Sequence, residues 1–318
     1  MRLGFAGTPQ FAVAALDALT RSEHRVVAVF TRPDRPAGRG RSIHSSAVKQ
    51  RAVELGIPVH QPASFKTPDA VDLLRGLDLD ALVVVAYGQI LPASALSIPL
   101  LGCFNIHASL LPRWRGAAPI QRALLAGDAV TGVTIMRMEA GLDTGPMLAV
   151  REVPVRERDT SGSLHDRLAQ LGAELIVEAL QGVAAGTAVF RVQPAAGVTY
   201  ATKVGKQEAL IDWRGDAADL ERRVRAFNPW PIAETCLNGA QLRIWEAEVA
   251  PDPGDPGETA GAHSPGTVLC ASGDGIDVAC GRGALRLLRL QLAGRKPLAA
   301  REFITAQQLG GAVLASPC

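Results

Sequence analysis

The sequence predicts a two-part chain: an α/β domain on a mostly parallel sheet, followed by a small β-barrel domain. Three observations carry this reading. Short β-branched runs alternate with helical patterns through the first half, as in a parallel sheet covered by helices. The run Asp80–Ala86 (DALVVVA) is apolar at successive positions, as in a strand buried on both faces. Near residue 182 the helical periodicity gives way to short strand-like runs separated by Gly and Pro. A chain of 318 residues has room for two domains, and 47% hydrophobic residues suffice for a core in each.

Taken in order, Arg2–Ala6 reads as a first strand, turned by Gly7-Thr8-Pro9 into a helix over Phe11–Leu19. Arg25–Phe30 (RVVAVF) is a second strand, Ser45–Leu55 a helix stopped by Gly56, and Ile57–His60 a short extended piece. Asp80–Ala86 and Leu101–His107 follow as strands, then a loop, then a helix over Pro119–Ala126 with Gly127 as its stop. Val133–Met138 and Met147–Val153 complete the strands. A longer helix begins near Ser163, where Ser163 and Asp166 have capping-box spacing, and Leu164, Leu168, Leu171, Leu175, Ile176 and Leu180 keep helical spacing. The stretch GVAAGTAVFRVQPAAGVTY, rich in small residues, reads as a linker. After a helix over Asp216–Arg225 come strand-like runs at Thr235–Leu237, Leu242–Val249, Gly266–Leu269, Gly275–Ala279 and Ala284–Gln291, enough for a five-stranded barrel.

Charge is distributed unevenly beneath a net +2. Arg32–Arg41 (RPDRPAGRGR) carries four Arg against one Asp, residues 244–280 carry seven acids with no Lys or Arg, and residues 281–318 carry five Arg and one Lys against Glu302. Local basic patches of this kind attract phosphate. The five cysteines form no CxxC pair and are odd in number, which argues against a disulfide framework or a zinc site and fits a reducing cytosol. The opening MRLGFAGTPQ does not have the apolar length of a signal peptide, and runs such as Ala81–Ala86 fall far below membrane-spanning length.

The first turn, GFAGTPQFA, lacks GxGxxG, so a nicotinamide cofactor is not expected. The single Asp-Thr-Gly at Asp143 is not an aspartic-protease signature, because that chemistry needs two carboxylates sharing a proton. Asn105 and His107 are two apart on one strand and share a face. They stand at a strand's carboxyl end, where ligands bind in open α/β sheets. Asp143, after the strand Val133–Met138, is expected at a neighbouring carboxyl end. An amide donor, an imidazole and a carboxylate together suit attack by a substrate amine on a carbonyl. Asn105 and protonated His107 would steady the oxyanion, with Asp143 favouring the imidazolium. Cys103, on the same face, is read as a small buried hydrophobe rather than a nucleophile.

AGTPQFA, RPDRPAGRG, NIHASLLPRWRGAAPIQ, GLDTGPML and AFNPWP together resemble the methionyl-tRNA formyltransferase family of folate-dependent enzymes, over nearly the whole chain. The resemblance implies a Rossmann-like formyltransferase domain at 1–189, a linker at 190–205 and an OB-like tRNA-binding domain at 206–318. It implies transfer of the formyl group of 10-formyltetrahydrofolate to the free α-amino group of methionyl-initiator tRNA, for translation initiation. Such an amine, with a pKa near or below ~8, is partly neutral at cytosolic pH. By similarity Asn105, His107 and Asp143 are catalytic, and Ser109, Leu110, Leu111 and Pro112 line the folate site. Arg39 and Arg41 in the basic loop are implied tRNA contacts, and no metal is required. In the barrel, Arg295 and Lys296 after Gly294 are the expected phosphate contacts, whereas strict alternation would put Arg286 and Arg289 on opposite faces. The sequence departs from the family pattern in RSIHSSAVK, which lacks the second-half lysines and the Pro before Val. It departs again at Pro231-Ile232-Ala233, where Gly is commoner after Pro, and in the longer acidic insert 251–266. A cytoplasmic monomer without membrane contact is expected. Two alternatives remain: a formyltransferase acting on a small amine such as a nucleotide-linked aminosugar, and a non-catalytic RNA-binding protein on the same fold.

Overall fold

The computed structural model describes residues 1–37, 42–251, 263–307 and 309–315. Arg39, Arg41 and most of the acidic insert lie outside these described residues. The chain divides into two compact units: residues 1–119, 130–154 and 165–201 form one, and residues 120–129, 155–164 and 202–318 the other.

The first unit opens with β1 (Arg2–Gly7), α1 (Phe11–Arg21) and β2 (Arg25–Phe30), as the apolar pattern predicts. A two-stranded hairpin, β3 (Arg35–Ala37) and β4 (Ser42–His44), then leads to α2 (Ala47–Glu54) and β5 (Val59–His60). Ser46 caps α2 by accepting from the Lys49 N–H. The sequence reading omits α3 (Pro68–Arg75), although Pro68 at its first turn, Asp69 and the terminal Gly76 are recognisable start and stop signals. Next come β6 (Ala81–Val85), α4 (Ala93–Leu96), β7 (Cys103–His107) and the short β8 (Arg115–Gly116); α5 (Pro119–Ala126) follows in the chain but, after its first residue, belongs to the second unit. The first unit's sheet is completed by β9 (Val130–Arg137) and β10 (Met147–Pro154).

The seven strands lie in the order β10-β9-β7-β6-β1-β2-β5. The five strands from β7 to β5 are parallel, β9 runs antiparallel to β7, and β10 at the edge is antiparallel to β9 and so points the same way as the five. All five residues of β6 are buried, which accounts for its unbroken apolar run. The helix α6 (Ser161–Ala184) starts one turn-fraction earlier than expected. Thr160, not Ser163, begins it: the Thr160 hydroxyl accepts from the Ser163 N–H and the Ser163 hydroxyl accepts from the Thr160 N–H. The same reciprocal bonding is thus available three residues upstream of the predicted cap.

Residues 190–201, in the stretch read as a linker, run along the first unit. Arg191 exchanges two hydrogen bonds with Met147, and β11 (Tyr200–Ala201) pairs in parallel with β8.

The second unit has α7 (Ala217–Ala226), capped by Asp216, against an antiparallel sheet. Its strands are β12 (Ala233–Leu237), β13 (Ala240–Val249), β14 (Val268–Ser272), β15 (Gly275–Ala279), β16 (Ala284–Leu292) and the short β17 (Leu298–Ala299), followed by α8 (Ala300–Ala306). The order is β12-β13-β16-β15-β14, with β17 beside β16. The two ends of that path are bridged by residues 312–315, through Cys236 with Ala315 and Thr267 with Val313. The sheet is therefore barrel-like without direct pairing of its outer strands. Ile244, Val278, Leu285, Leu287 and Leu290 are fully buried in its core.

Two details of this unit differ from the sequence reading. Strict alternation fails along β16, because register shifts at Trp245 and Leu288 insert one extra residue in each strand. Leu287 and Leu290 are both buried, so Arg286 and Arg289 both face outward. The second is Cys236, which is disulfide-bonded and so departs from the expectation of unpaired thiols. Ile232 holds a φ of +73°, the left-handed region that glycine tolerates best, which is a physical reason for Gly to be commoner there.

Candidate active site

Asn105 and His107 occupy the end of β7 on one face, as the spacing requires. Asp143 reaches them by a route that the sequence reading misjudged. β9 is antiparallel to β7, with Phe104 opposite Arg137 and His107 opposite Thr134. The carboxyl end of β9 therefore lies at the beginning of β7, away from His107. Residues 138–146 fold back, and Asp143 returns to the site in a turn with φ +50°. Gly145 makes that return possible: a Cβ there would lie 1.8 Å from the Arg137 carbonyl oxygen.

Both carboxylate oxygens of Asp143 are engaged. Oδ2 accepts from the Gly116 N–H at 2.8 Å and faces His107 Nδ1 at 3.7 Å. Oδ1 meets Asn105 Nδ2 at 3.5 Å, the outer limit of a hydrogen bond, so that donor is held weakly and is free to turn to a better acceptor. His107 is 5% exposed, and its Nε2 lies 2.9 Å from the Trp114 carbonyl oxygen. A carbonyl only accepts, so Nε2 carries a proton and Nδ1 is the atom turned to Asp143.

Three residues that the sequence reading missed complete this arrangement. Arg115 donates to Gln193 Oε1 from Nε at 3.1 Å and Nη2 at 2.7 Å. Gln193 Nε2 donates to the carbonyls of Asp143 and Gly145, each at 2.8 Å. Thr199 Oγ1 accepts from the Trp114 N–H at 2.9 Å. Gln193 is the lone side-chain amide in a run of small residues, which was the one signal available in the sequence. Gly116 holds a φ of +119° against β11, with its hypothetical Cβ 2.8 Å from the Ala201 carbonyl oxygen.

The 109–112 segment follows directly from His107. Ser109 is fully buried, its hydroxyl donating to the Arg113 carbonyl at 2.6 Å and its own carbonyl accepting from Thr134 Oγ1 at 2.7 Å. Leu111 is also buried and precedes a cis peptide bond to Pro112, while Leu110 and Pro112 are partly exposed. Any wall this segment offers a ligand is thus made by Leu110, Pro112 and backbone, with Ser109 fixing the loop from beneath. Cys103 donates weakly to the Leu96 carbonyl, and burial pushes its thiol up to about 12. A thiol so protonated is a poor nucleophile. Among the described residues no group of His, Cys, Asp and Glu is arranged to hold a metal.

In the second unit, Arg295 and Lys296 are exposed in the turn between β16 and β17, after Gly294. Among the described residues neither has an ion-pair partner. Arg282, Arg286 and Arg289 are paired instead, with Asp216, Asp277 and Glu246. The Asp277 carboxylate raises the pKa of Arg286 and fixes its guanidinium through two hydrogen bonds.

Residues 1–180 match the formyl transferase family, and residues 203–308 match the formyl transferase C-terminal domain. A methionyl-tRNA formyltransferase of Methylococcus capsulatus is 55% identical over 98% of each chain. The chain belongs to the methionyl-tRNA formyltransferase family. A family member from Stenotrophomonas maltophilia is 57% identical, over 97% of this chain and 98% of that one. Two solved structures share the fold beyond the family. An N-formyltransferase from Helicobacter canadensis, in complex with folinic acid and dTDP-3-aminofucose, has a TM-score of 0.64 at 16% identity, over 90% of this chain and 98% of that one. HypX from Aquifex aeolicus, in complex with tetrahydrofolic acid, also has a TM-score of 0.64, at 17% identity over 96% of this chain and 47% of that one.

Proposed function

We propose that this chain transfers the formyl group of 10-formyltetrahydrofolate to the α-amino group of methionyl-initiator tRNA. Membership of the family supports the reaction. The single observation that carries the site is the convergence of Asn105 and His107 on Asp143, the first within hydrogen-bonding range and the second within ion-pair range of its carboxylate. The co-substrate supplies an activated formyl carbonyl. The donor set fits it: Asn105 Nδ2 is a weakly held N–H donor, and the adjoining wall of Leu110 and Pro112 is apolar.

In the reaction a C–N bond forms from the methionine amine to the formyl carbon, and the bond from that carbon to the folate nitrogen breaks. One proton passes from the attacking amine to the leaving nitrogen. Asn105 Nδ2 donates toward the oxygen on which charge develops, while the His107 ring, its Nε2 proton held by the Trp114 carbonyl, presents Nδ1 beside Asp143. Asp143, fixed by the Gly116 N–H, holds the ring's Nδ1 edge and takes part in moving the proton. The chain's own residues require no metal for these steps.

Residues 1–189 serve as the transfer module and 206–318 as the tRNA-binding module, joined by 190–205. Ser109, Leu110, Leu111 and Pro112 shape the folate side. Arg39 and Arg41, outside the described residues, together with Arg295 and Lys296, contact the tRNA. Among the described residues no helix is long and apolar enough to cross a membrane, and cytoplasmic action as a monomer is proposed.

The test is formyl transfer to methionyl-initiator tRNA, run beside a panel of small amines that includes a nucleotide-linked aminosugar. Transfer to the tRNA alone, lost in Asn105→Ala, is expected. Each phosphate contact should add about 0.7–0.9 to the magnitude of the log–log salt slope, so Arg295→Gln with Lys296→Gln should flatten it by about 1.5. Activity on a small amine alone would overturn the RNA assignment, and silence on both would favour a binding protein.

A further inference from the structure

We propose that Gln193 and Thr199 are positioning residues for formyl transfer: Gln193 fixes the turn that carries Asp143, and Thr199 fixes, through Trp114, the ring of His107. The inference rests on the catalytic reading of Asn105, His107 and Asp143 given above. Gln193 and Thr199 fall in residues 181–202, between the two segments that match the formyl transferase models.

Gln193 is 7% exposed and spends both ends of its amide on the site. Its Nε2 donates to the carbonyls of Asp143 and Gly145, and its Oε1 accepts twice from Arg115. One side chain therefore ties the Asp143 turn to the loop after His107. Arg115 adjoins Gly116, whose N–H holds the Asp143 carboxylate, so the carboxylate and its own backbone are gripped from the same strand pair. Thr199 acts on the other partner. Its Oγ1 takes the Trp114 N–H, and the Trp114 carbonyl takes the proton on His107 Nε2.

The backbone explains why such ties are needed. Asp143 and Trp114 are both non-glycine residues with left-handed φ, +50° and +63°, a conformation that persists only when the surroundings enforce it. Each is fastened by a side chain from the same short segment, and that segment is itself fixed by pairing of Tyr200 and Ala201 with β8. The alternative is that Gln193 serves only to anchor Arg115 by accepting its two hydrogen bonds. The two roles use opposite ends of the amide, which makes them separable.

Gln193→Glu keeps an acceptor for Arg115 but replaces both N–H donors with a carboxylate facing two carbonyls. If Gln193 positions Asp143, Gln193→Ala and Gln193→Glu should each lower kcat by about 10- to 100-fold, with KM for tRNA and folate within about threefold of the parent. If it only anchors Arg115, Gln193→Glu retains parent kcat, and the proposal falls. Thr199→Val should lower kcat and Thr199→Ser should restore it; equal behaviour of the two would overturn the Thr199 half. Thermal melting of each variant shows that it is folded.

A double-mutant cycle with Asp143→Asn, measured by single-turnover quench, gives a further readout. Gln193→Ala should then cost less than about twofold in that background, because it acts through Asp143. Losses that multiply would reduce Gln193 to a general structural part. If Asp143→Asn by itself retains the parent rate, the catalytic assignment of Asp143 is what fails, and the positioning role goes with it.

Discussion

Gly116→Ala tests whether the β8–β11 pairing sets the geometry of the proposed catalytic trio. At φ +119° an alanine is strained by about 1–3 kcal/mol. Its Cβ would also sit 2.8 Å from the Ala201 carbonyl oxygen, and overpacking of that kind costs about 1–3 kcal/mol more. The cheapest relief is separation of β8 from β11, which withdraws the Gly116 N–H from Asp143 Oδ2, now 2.8 Å away. A hydrogen bond to a charged group is worth about 1.5–3 kcal/mol. Lost in the transition state, that corresponds to about 10- to 150-fold in kcat. The assay is steady-state formyl transfer with thermal melting in parallel. Gly186→Ala is the control: φ is +68° there with nothing within 4 Å of a Cβ, so it should cost stability and leave kcat alone. If Gly116→Ala loses as much stability as the control yet keeps kcat within about twofold of the parent, the claim that this N–H orients Asp143 is wrong.

Cys103→Ala should retain kcat within about twofold while losing about 1–2 kcal/mol of stability to the small cavity it leaves. In the native protein Cys103 should resist Ellman's reagent, because burial pushes its thiol up to about 12, whereas the exposed Cys270 should react at once; prompt labelling of Cys103 in a peptide map would contradict this. Glu208 is held below the ordinary carboxylate range, chiefly by its hydrogen bonds from Arg122. A depressed folded-state pKa adds stability above the unfolded value of 4.5 that is lost as pH falls through the folded one. Glu208→Gln should therefore destabilise by about 1 kcal/mol at neutral pH, after allowance for solvent screening, and progressively less as pH falls below 4.5; a deficit that is the same at pH 3 and pH 7 would exclude this ion pair as its cause.

Much of the fold was legible because burial imposes its pattern locally. The run RVVAVF became β2 at the predicted limits, and Pro119–Ala126 became α5 with Gly127 beyond it. The short helices α3 and α4 were overlooked although α3 carries its Pro and Gly signals, and the helix start at Thr160 was displaced because two residues offer equivalent caps. The direction of β9 was not legible. A strand's apolar pattern is the same in either orientation, so the expectation from strand ends that places Asp143 near Asn105 and His107 fails against the antiparallel pairing, although the turn after β9 brings Asp143 beside them. The bulges at Trp245 and Leu288 were hidden for a similar reason, since alternation assumes an unbroken register.

The sequence by itself determined most of the elements, the two-part organisation and which side chains are candidates for the chemistry. Periodicity, caps and residue type are properties of neighbouring residues, and NIHASLLPRWRG and GLDTG carry them within a few positions. Only the tertiary structure decided how those side chains are held. The ties from Gln193 to Asp143 and from Thr199 to Trp114 span 50 and 85 residues. They lie in a small-residue segment with no pattern of its own to announce them. Whether such a segment hangs free or clasps a site depends on what the folded chain brings beside it, and no local spacing encodes that.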